Sequence, residues 1–476
     1  MISKNYYSII KSILSYLPSR ALIILNSILI IPLLTGLLEP KEMSIYFIAI
    51  QLLNLLCTCS FDGIGKAVLR FYEKYKINNS LDNFFSNILW LSIFSYCIIC
   101  AIYLIAHNII SEKFAIGSSA LILTLILVIP CGIRQVLYQI LRIKNRPDIY
   151  TMSIIFYQII FIISVLYLTK IIIPKTDIVL ATMAFAVAAI DIYIIYNITP
   201  SFKIEYKLDK NILGEIFKYI IPLFFTNFGY WFILHFLKFE FQNLHQYLNT
   251  AIIGASWLIA NSFIQPLVAL FIFATFPIII KRFEHNYPVK TYFTNICQLY
   301  MFIFIPILSV FCLYSKEIQT ILLPDNYAKA AYILPIFSIC IFSHEFLKLI
   351  NVKYHLHNKT YIETSLAILF VILSYWGTIN MAAQESIIGA ALIVLGCEIG
   401  MILSNILVRF KNLNYINYAK ILKTLFFMVV ISIISFIIVM ILNNINLDKT
   451  LCILKIIIFI TINYTISINA RKYILE

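Results

Sequence analysis

Four ionisable side chains stand inside apolar runs, and their chemistry sets the first question. Arg134 interrupts "LILTLILVIPCGIRQVLYQILR", residues 121–142. Its planar fork of N–H donors suits phosphate oxygens better than a lysine ammonium does, so it is a candidate ligand for a diphosphate. Asp191 lies in "ATMAFAVAAIDIYIIYN" and Glu398 in "GAALIVLGCEIGMILSN", between Gly396 and Gly400. Glu345 lies in "SICIFSHEFLKL", with His344 beside it and Lys348 three residues on. These three carboxylates are candidates for coupling an ion to movement. Each charge costs at least ~2.5–3.5 kcal/mol against lipid, which is why intramembrane charges mark functional positions.

Each also has a plainer reading. Glu345 and Lys348 are spaced as neighbours on one helical face and can neutralise one another. Gly396-x-x-x-Gly400 is a small-residue face for helix packing, where Glu398 can hydrogen-bond a neighbouring helix. Asp191 is too short to reach an interface easily, which favours a polar cavity. Arg134 is some eight residues, or about 12 Å at helical rise, from Arg142. It can snorkel part of that distance, so a helix anchor and a cavity ligand both remain open.

The elements that position these residues follow from composition. The chain has 476 residues, 62% hydrophobic and 12% charged. A soluble domain is nearer half apolar and a quarter charged. The fold class is an all-α polytopic membrane protein, with about fourteen transmembrane helices read from apolar runs of spanning length. The second is placed near 44–64 and the last near 450–469. "TGLLEPKEMS" separates the first two, since Pro40 disfavours helix through itself and its predecessor. Most of the 36 Lys and Arg fall in alternate connecting segments, which by the positive-inside rule makes both termini cytoplasmic. The 66–76 segment and the 203–218 segment are read as cytoplasmic loops on the same rule.

The net charge of +14 raises nucleic acid as a partner. The basic residues, however, fall in short clusters between spans rather than on a recognition module, so no nucleic acid is expected. The ten cysteines lie almost all within apolar runs and read as small apolar residues. Cys97-x-x-Cys100 lacks the second pair or histidine that a metal site needs, and His355 and His357 read as a solvated pair. No metal and no cofactor are expected. "SFDGIGKAVL" has Ser60 and Ala67 where a phosphate-binding loop needs Gly and Ser or Thr. No removed signal peptide is expected at "MISKNYYSIIKSILSYLPSR". No loop is long enough for a catalytic domain, so enzyme activity is not expected.

Four stretches carry a resemblance: "IPLLTGLLEPKEMSIYFIAIQLLNLL", "AVLRFYEKYK", "LRIKNRPDIYTMS" and "LLPDNYAKAAYILPIFSI". With the helix "SIIGAALIVLGCEIGMIL", the chain resembles a Wzx-type O-antigen or polysaccharide repeat-unit flippase of the multidrug/oligosaccharidyl-lipid/polysaccharide exporter superfamily. The resemblance implies two six-helix bundles around a central cavity, 1–200 and 201–410, plus two helices in 411–476 (a MATE-like architecture). It implies a lipid-linked oligosaccharide flippase in the bacterial inner membrane, working by alternating access and moving an undecaprenyl-diphosphate-linked unit from the cytoplasmic to the periplasmic leaflet. The implied partners are that oligosaccharide and membrane lipids, with a polysaccharide polymerase and a chain-length regulator as further candidates. The transport unit is expected to be a single chain. One departure stands out: "WFILHFLKFEF" has Leu237 and Lys238 where the family often carries an acidic-basic pair. The alternatives are a multidrug-type small-molecule exporter, which more often has twelve spans, and a membrane glycan polymerase or ligase, which commonly carries a large periplasmic loop.

Overall fold

The computed structural model describes residues 2–144, 146–171, 175–198, 208–284, 289–357, 359–407, 416–442 and 449–469. Within them, the side chains of 2–17, 19, 169–170, 273–274, 277, 280–281, 284, 355, 360, 441–442 and 449–453 lie outside the description. Almost every described residue is helical. Among the described residues, thirteen helical stretches are long and apolar enough to cross a membrane, and Leu454–Asn469 is a shorter apolar helix. Inside a bilayer each backbone N–H and C=O must be satisfied within the protein, which a helix does along its own length. The chain is a multi-pass membrane protein.

It divides into two compact units. One comprises Leu33–Ala251 and Ala367–Tyr375, and is called the arginine unit here because it contains Arg134. Its helices are α2 (Pro40–Cys57), α3 (Gly63–Ile77), α4 (Leu81–Phe114), α5 (Ser118–Ile143), α6 (Pro147–Ile171), α7 (Thr176–Ile198) and α8 (Lys210–Asn243). The other comprises Met1–Pro32, Ile252–Leu366 and Trp376–Glu476. It holds most of α1 (Ile2–Leu37) and α9 (Tyr247–Glu284), then α10 (Val289–Leu313), α11 (Ser315–Leu322) and α12 (Ala330–Leu356). Helices α14 (Ile387–Leu407), α15 (Tyr418–Leu442) and α16 (Lys449–Asn469) complete it, while α13 (Thr360–Ala383) is shared between the units.

The turn between α1 and α2 forms where Pro40 was expected to force it, with Pro40 the first residue of α2. The segment after the second span differs from its expected form. Residues 66–76 are not a loop: α2 runs through a π-helical turn, Thr58–Asp62, directly into α3, making one stretch of 38 residues. A π turn inserts a residue without breaking the helix, so no proline or loop signal marks the change. Gly63 lets α3 approach α8 closely, whereas Gly65 has room for a side chain. A Cβ on Gly63 would stand 2.7 Å from a methyl of Ile220 on α8, and one on Gly65 would touch Gln139 on α5. On α5, a Cβ on Gly132 would collide with the Phe61 ring of the π turn. The π turn is thus seated by the absence of a side chain on its partner helix.

The expected loop over 203–218 is also shorter than its sequence suggested. Residues 203–207 lie outside the described set, but Asp209 caps α8, its Oδ1 accepting from the backbone N–H groups of Asn211 at 2.8 Å and Ile212 at 3.4 Å. An aspartate at this position satisfies donors that the first helical turn leaves open.

Candidate functional site

Arg134 leaves α5 one turn after Pro130. Its Nη2 is 3.8 Å from Cys131 Sγ, and its Cζ is 5.1 Å from the centroid of the Tyr157 ring on α6. At that distance the guanidinium lies within cation–π reach of the ring, which helps to orient it. Among the described residues no carboxylate lies within ion-pair distance of Arg134. The guanidinium is therefore aimed but not neutralised.

Asp191 lies on α7, which packs along α5. It is 5% exposed, and neither carboxylate oxygen has a hydrogen-bond partner among the described residues. Arg134 acts on it electrostatically, without a direct bond. Buried polar atoms are left incomplete only where something else completes them, such as a proton, a cation or water. The arginine unit thus brings two of the sequence candidates together: a cation outside any described ion pair and an acid with open acceptors.

A second polar cluster in this unit was missed from the sequence. Lys66 Nζ sits 2.8 Å from Asp62 Oδ2 and donates to Asn227 Oδ1 at 3.2 Å. Asn227 Nδ2 donates to Asp62 Oδ2 at 2.7 Å, closing the ring of contacts between α3 and α8. Asp62 is the last residue of the π turn. The i,i+4 spacing of Asp62 and Lys66 is a readable signal for a helical pair, but it is meaningful only once that segment is known to be helix. Lys238, the departure noted above, is fully buried on α8, with its Nζ 3.1 Å from His235 Nδ1.

In the other unit, Glu345 binds Lys348 at 2.7 Å, the self-neutralising pair that the spacing allowed. Glu398 is fully buried on α14, and both its oxygens lie 3.3 Å from His344 Nδ1 on α12. His344 therefore serves Glu398 and not its sequence neighbour Glu345, because adjacent helical residues point about 100° apart. The Glu398 contact joins α12 to α14, whereas a Cβ on Gly396 would meet nothing within 4 Å, so that glycine does not form the close packing face its spacing suggested. On α12, Lys353 Nζ donates to the Asn405 carbonyl at 3.1 Å. His355 has its side chain outside the description, while His357 packs edge-on against Phe283. Burial first, and then the Lys359 charge, hold the His357 imidazole below its ordinary pKa. No cluster of three or more His, Cys, Asp or Glu suited to a metal occurs among the described residues.

No protein-family model matches the chain, and no curated protein matches its sequence. Solved structures do match the fold. The lipid II flippase MurJ, in an inward closed conformation, superposes with a TM-score of 0.68 at 17% identity. That match covers 98% of this chain and 100% of MurJ. An inward-facing MATE multidrug resistance transporter of the MOP superfamily gives 0.56 at 12%, over 83% of this chain and 93% of its own. A MOP superfamily transporter from Pyrococcus furiosus gives 0.51 at 13%, over 83% and 94%. The chain therefore has the all-helical fold shared by MurJ and the MATE transporters. The named proteins of that fold are flippases and transporters rather than enzymes.

Proposed function

We propose that the chain is a flippase that turns an undecaprenyl-diphosphate-linked O-antigen or capsule repeat unit from the cytoplasmic to the periplasmic leaflet by alternating access. The observation that carries this reading is Arg134: a guanidinium within a membrane-spanning helix, beside the Tyr157 ring and in ion-pair contact with no described carboxylate. A diphosphate cannot cross ~30 Å of hydrocarbon unaided, and bidentate donation to its oxygens is what such a guanidinium offers. An inside-negative potential favours outward movement of an anion by ~2.3 kcal/mol per charge per 100 mV. Asp191, with Glu398 and Glu345 as further candidates, would add ion coupling. The domain assignment proposed with it is two six-helix bundles followed by two C-terminal helices, with both termini cytoplasmic.

The second reading, a small-molecule exporter, is favoured by the MATE likeness. That likeness leaves out more of the chain than the likeness to MurJ does, 83% against 98% covered. Cells lacking the chain separate the two. A flippase predicts lipid-linked oligosaccharide accumulating in the membrane and surface polysaccharide lost, both restored by the intact gene. Normal polysaccharide with altered tolerance to small toxic compounds would support the exporter.

A further inference from the structure

The mechanism proposed above leaves the α3–α8 cluster unused, and its position is unusual. The Asp62 and Lys66 side chains are 35% and 39% exposed, within helical stretches of spanning character. A charged pair half open to hydrocarbon costs several kcal/mol in each member, so that opening faces water or a polar ligand. One turn along α8 from Asn227 stands Trp231. Its ring lies 6.5 Å from that of Phe228 at an interplanar angle of 29° and is backed by Phe239 at 5.6 Å and His235 at 5.8 Å. Phe228 continues the series to Phe224 at 6.3 Å and 15° and is itself 36% exposed.

From this juxtaposition, and resting on the transport reading above, we infer that Phe228 and Trp231, rimmed by Asp62, Lys66 and Asn227, form a subsite for the sugar part of the lipid-linked substrate. An aromatic platform offers its face to the C–H side of a pyranose, whose hydroxyls can then both donate to and accept from an adjoining polar rim. Binding sites of this kind are mostly apolar, with a few placed polar groups that fix orientation. The rim supplies both roles: a carboxylate that accepts, an ammonium that donates, and an amide that does each. Its charge decides the ligand class. Asp62 and Lys66 cancel, so the cluster gains little from a diphosphate and suits a neutral glycan. Arg134, in no ion pair among the described residues, is left for the anion. Gln135 and Gln139 carry buried side-chain oxygens without described partners, on the part of α5 that packs against Gly65. They place further acceptors beside the α3 end of the cluster.

The test compares two probes on the full chain in lipid nanodiscs. One is bare undecaprenyl diphosphate. The other is the lipid-linked oligosaccharide purified from cells that lack the chain. The wild type is expected to bind the glycosylated lipid about tenfold more tightly, the equivalent of one good aromatic contact. Trp231→Ala and Asn227→Ala should each bring that ratio close to one, with the bare-lipid affinity serving as the reference within each variant. Trp231→Phe should retain most of it. Asn227→Ala gives an independent reading should Trp231→Ala fail to fold. A wild-type ratio near one, or a ratio unchanged in both alanine variants, overturns the sugar subsite while leaving the flippase reading intact. Failure of the wild type to bind either lipid overturns both.

Discussion

Arg134→Ala is expected to reduce transport of the lipid-linked unit by about 10- to 100-fold, the cost of losing charge-assisted bonds worth roughly 1.5–3 kcal/mol. Arg134→Lys should fall between the alanine variant and the wild type. Lysine keeps the charge but loses the planar fork, and it stacks less well on Tyr157. Arg134→Glu should be at least as impaired as alanine, since it turns attraction into repulsion. Membrane abundance should be similar throughout, because Arg134 makes no described ion pair whose loss would strand a buried partner. The readouts are surface polysaccharide and the amount of lipid-linked unit left facing the cytoplasm. A helix anchor predicts a different order, with lysine equal to arginine, since both are long enough to snorkel.

Asp191→Asn is expected to abolish the part of transport that a pH gradient adds, while leaving potential-driven transport measurable. The amide is close to the carboxylate in shape, so the packing of α7 on α5 should survive, but it cannot take up and release a proton. The two buried oxygens of Asp191 have no described partner, so no network is broken by the exchange. Transport by reconstituted protein, with the pH gradient and the membrane potential imposed separately, measures the two contributions. An Asn variant that keeps its full response to the pH gradient would remove Asp191 from coupling.

Much of the fold could be read from hydrophobicity alone, because a span is a long-range average that single residues barely disturb. The helical class, the helix break before Pro40 and the approximate number of spans could all be read in this way. Local departures were not legible. The π turn at Thr58–Asp62 has no composition of its own, since it depends on Gly132 of α5 leaving room for the Phe61 ring. Reading 66–76 as a loop therefore hid Lys66 from the search for intramembrane charges, and Asp62, inside the span placed near 44–64, was passed over without its partner.

The site residues divide in the same way. Glu345 with Lys348 is a local pair, and helical spacing is enough to find it. The His344–Glu398 contact spans two helices, so no sequence spacing joins the two residues. Arg134 and Asp191 were visible as lone charges in apolar runs. Their placement in one unit, with Tyr157 beneath the guanidinium, required the packing of α5, α6 and α7. Lys238 was visible as a departure from a family pattern, but its partner His235 sits one turn back on the same helix and appears only when their distance is known.

The central claim is movement of a lipid-linked glycan between leaflets, and it can be measured directly. The purified chain is reconstituted into vesicles with a fluorescent lipid-linked oligosaccharide in both leaflets, and an impermeant reagent that destroys or captures the exposed sugar is added outside. The account predicts that wild-type vesicles lose the inner pool to the reagent far faster than protein-free vesicles, and that Arg134→Ala vesicles behave nearly as protein-free ones. An inner pool equally protected with and without the wild-type chain, under an imposed potential and pH gradient, would contradict it.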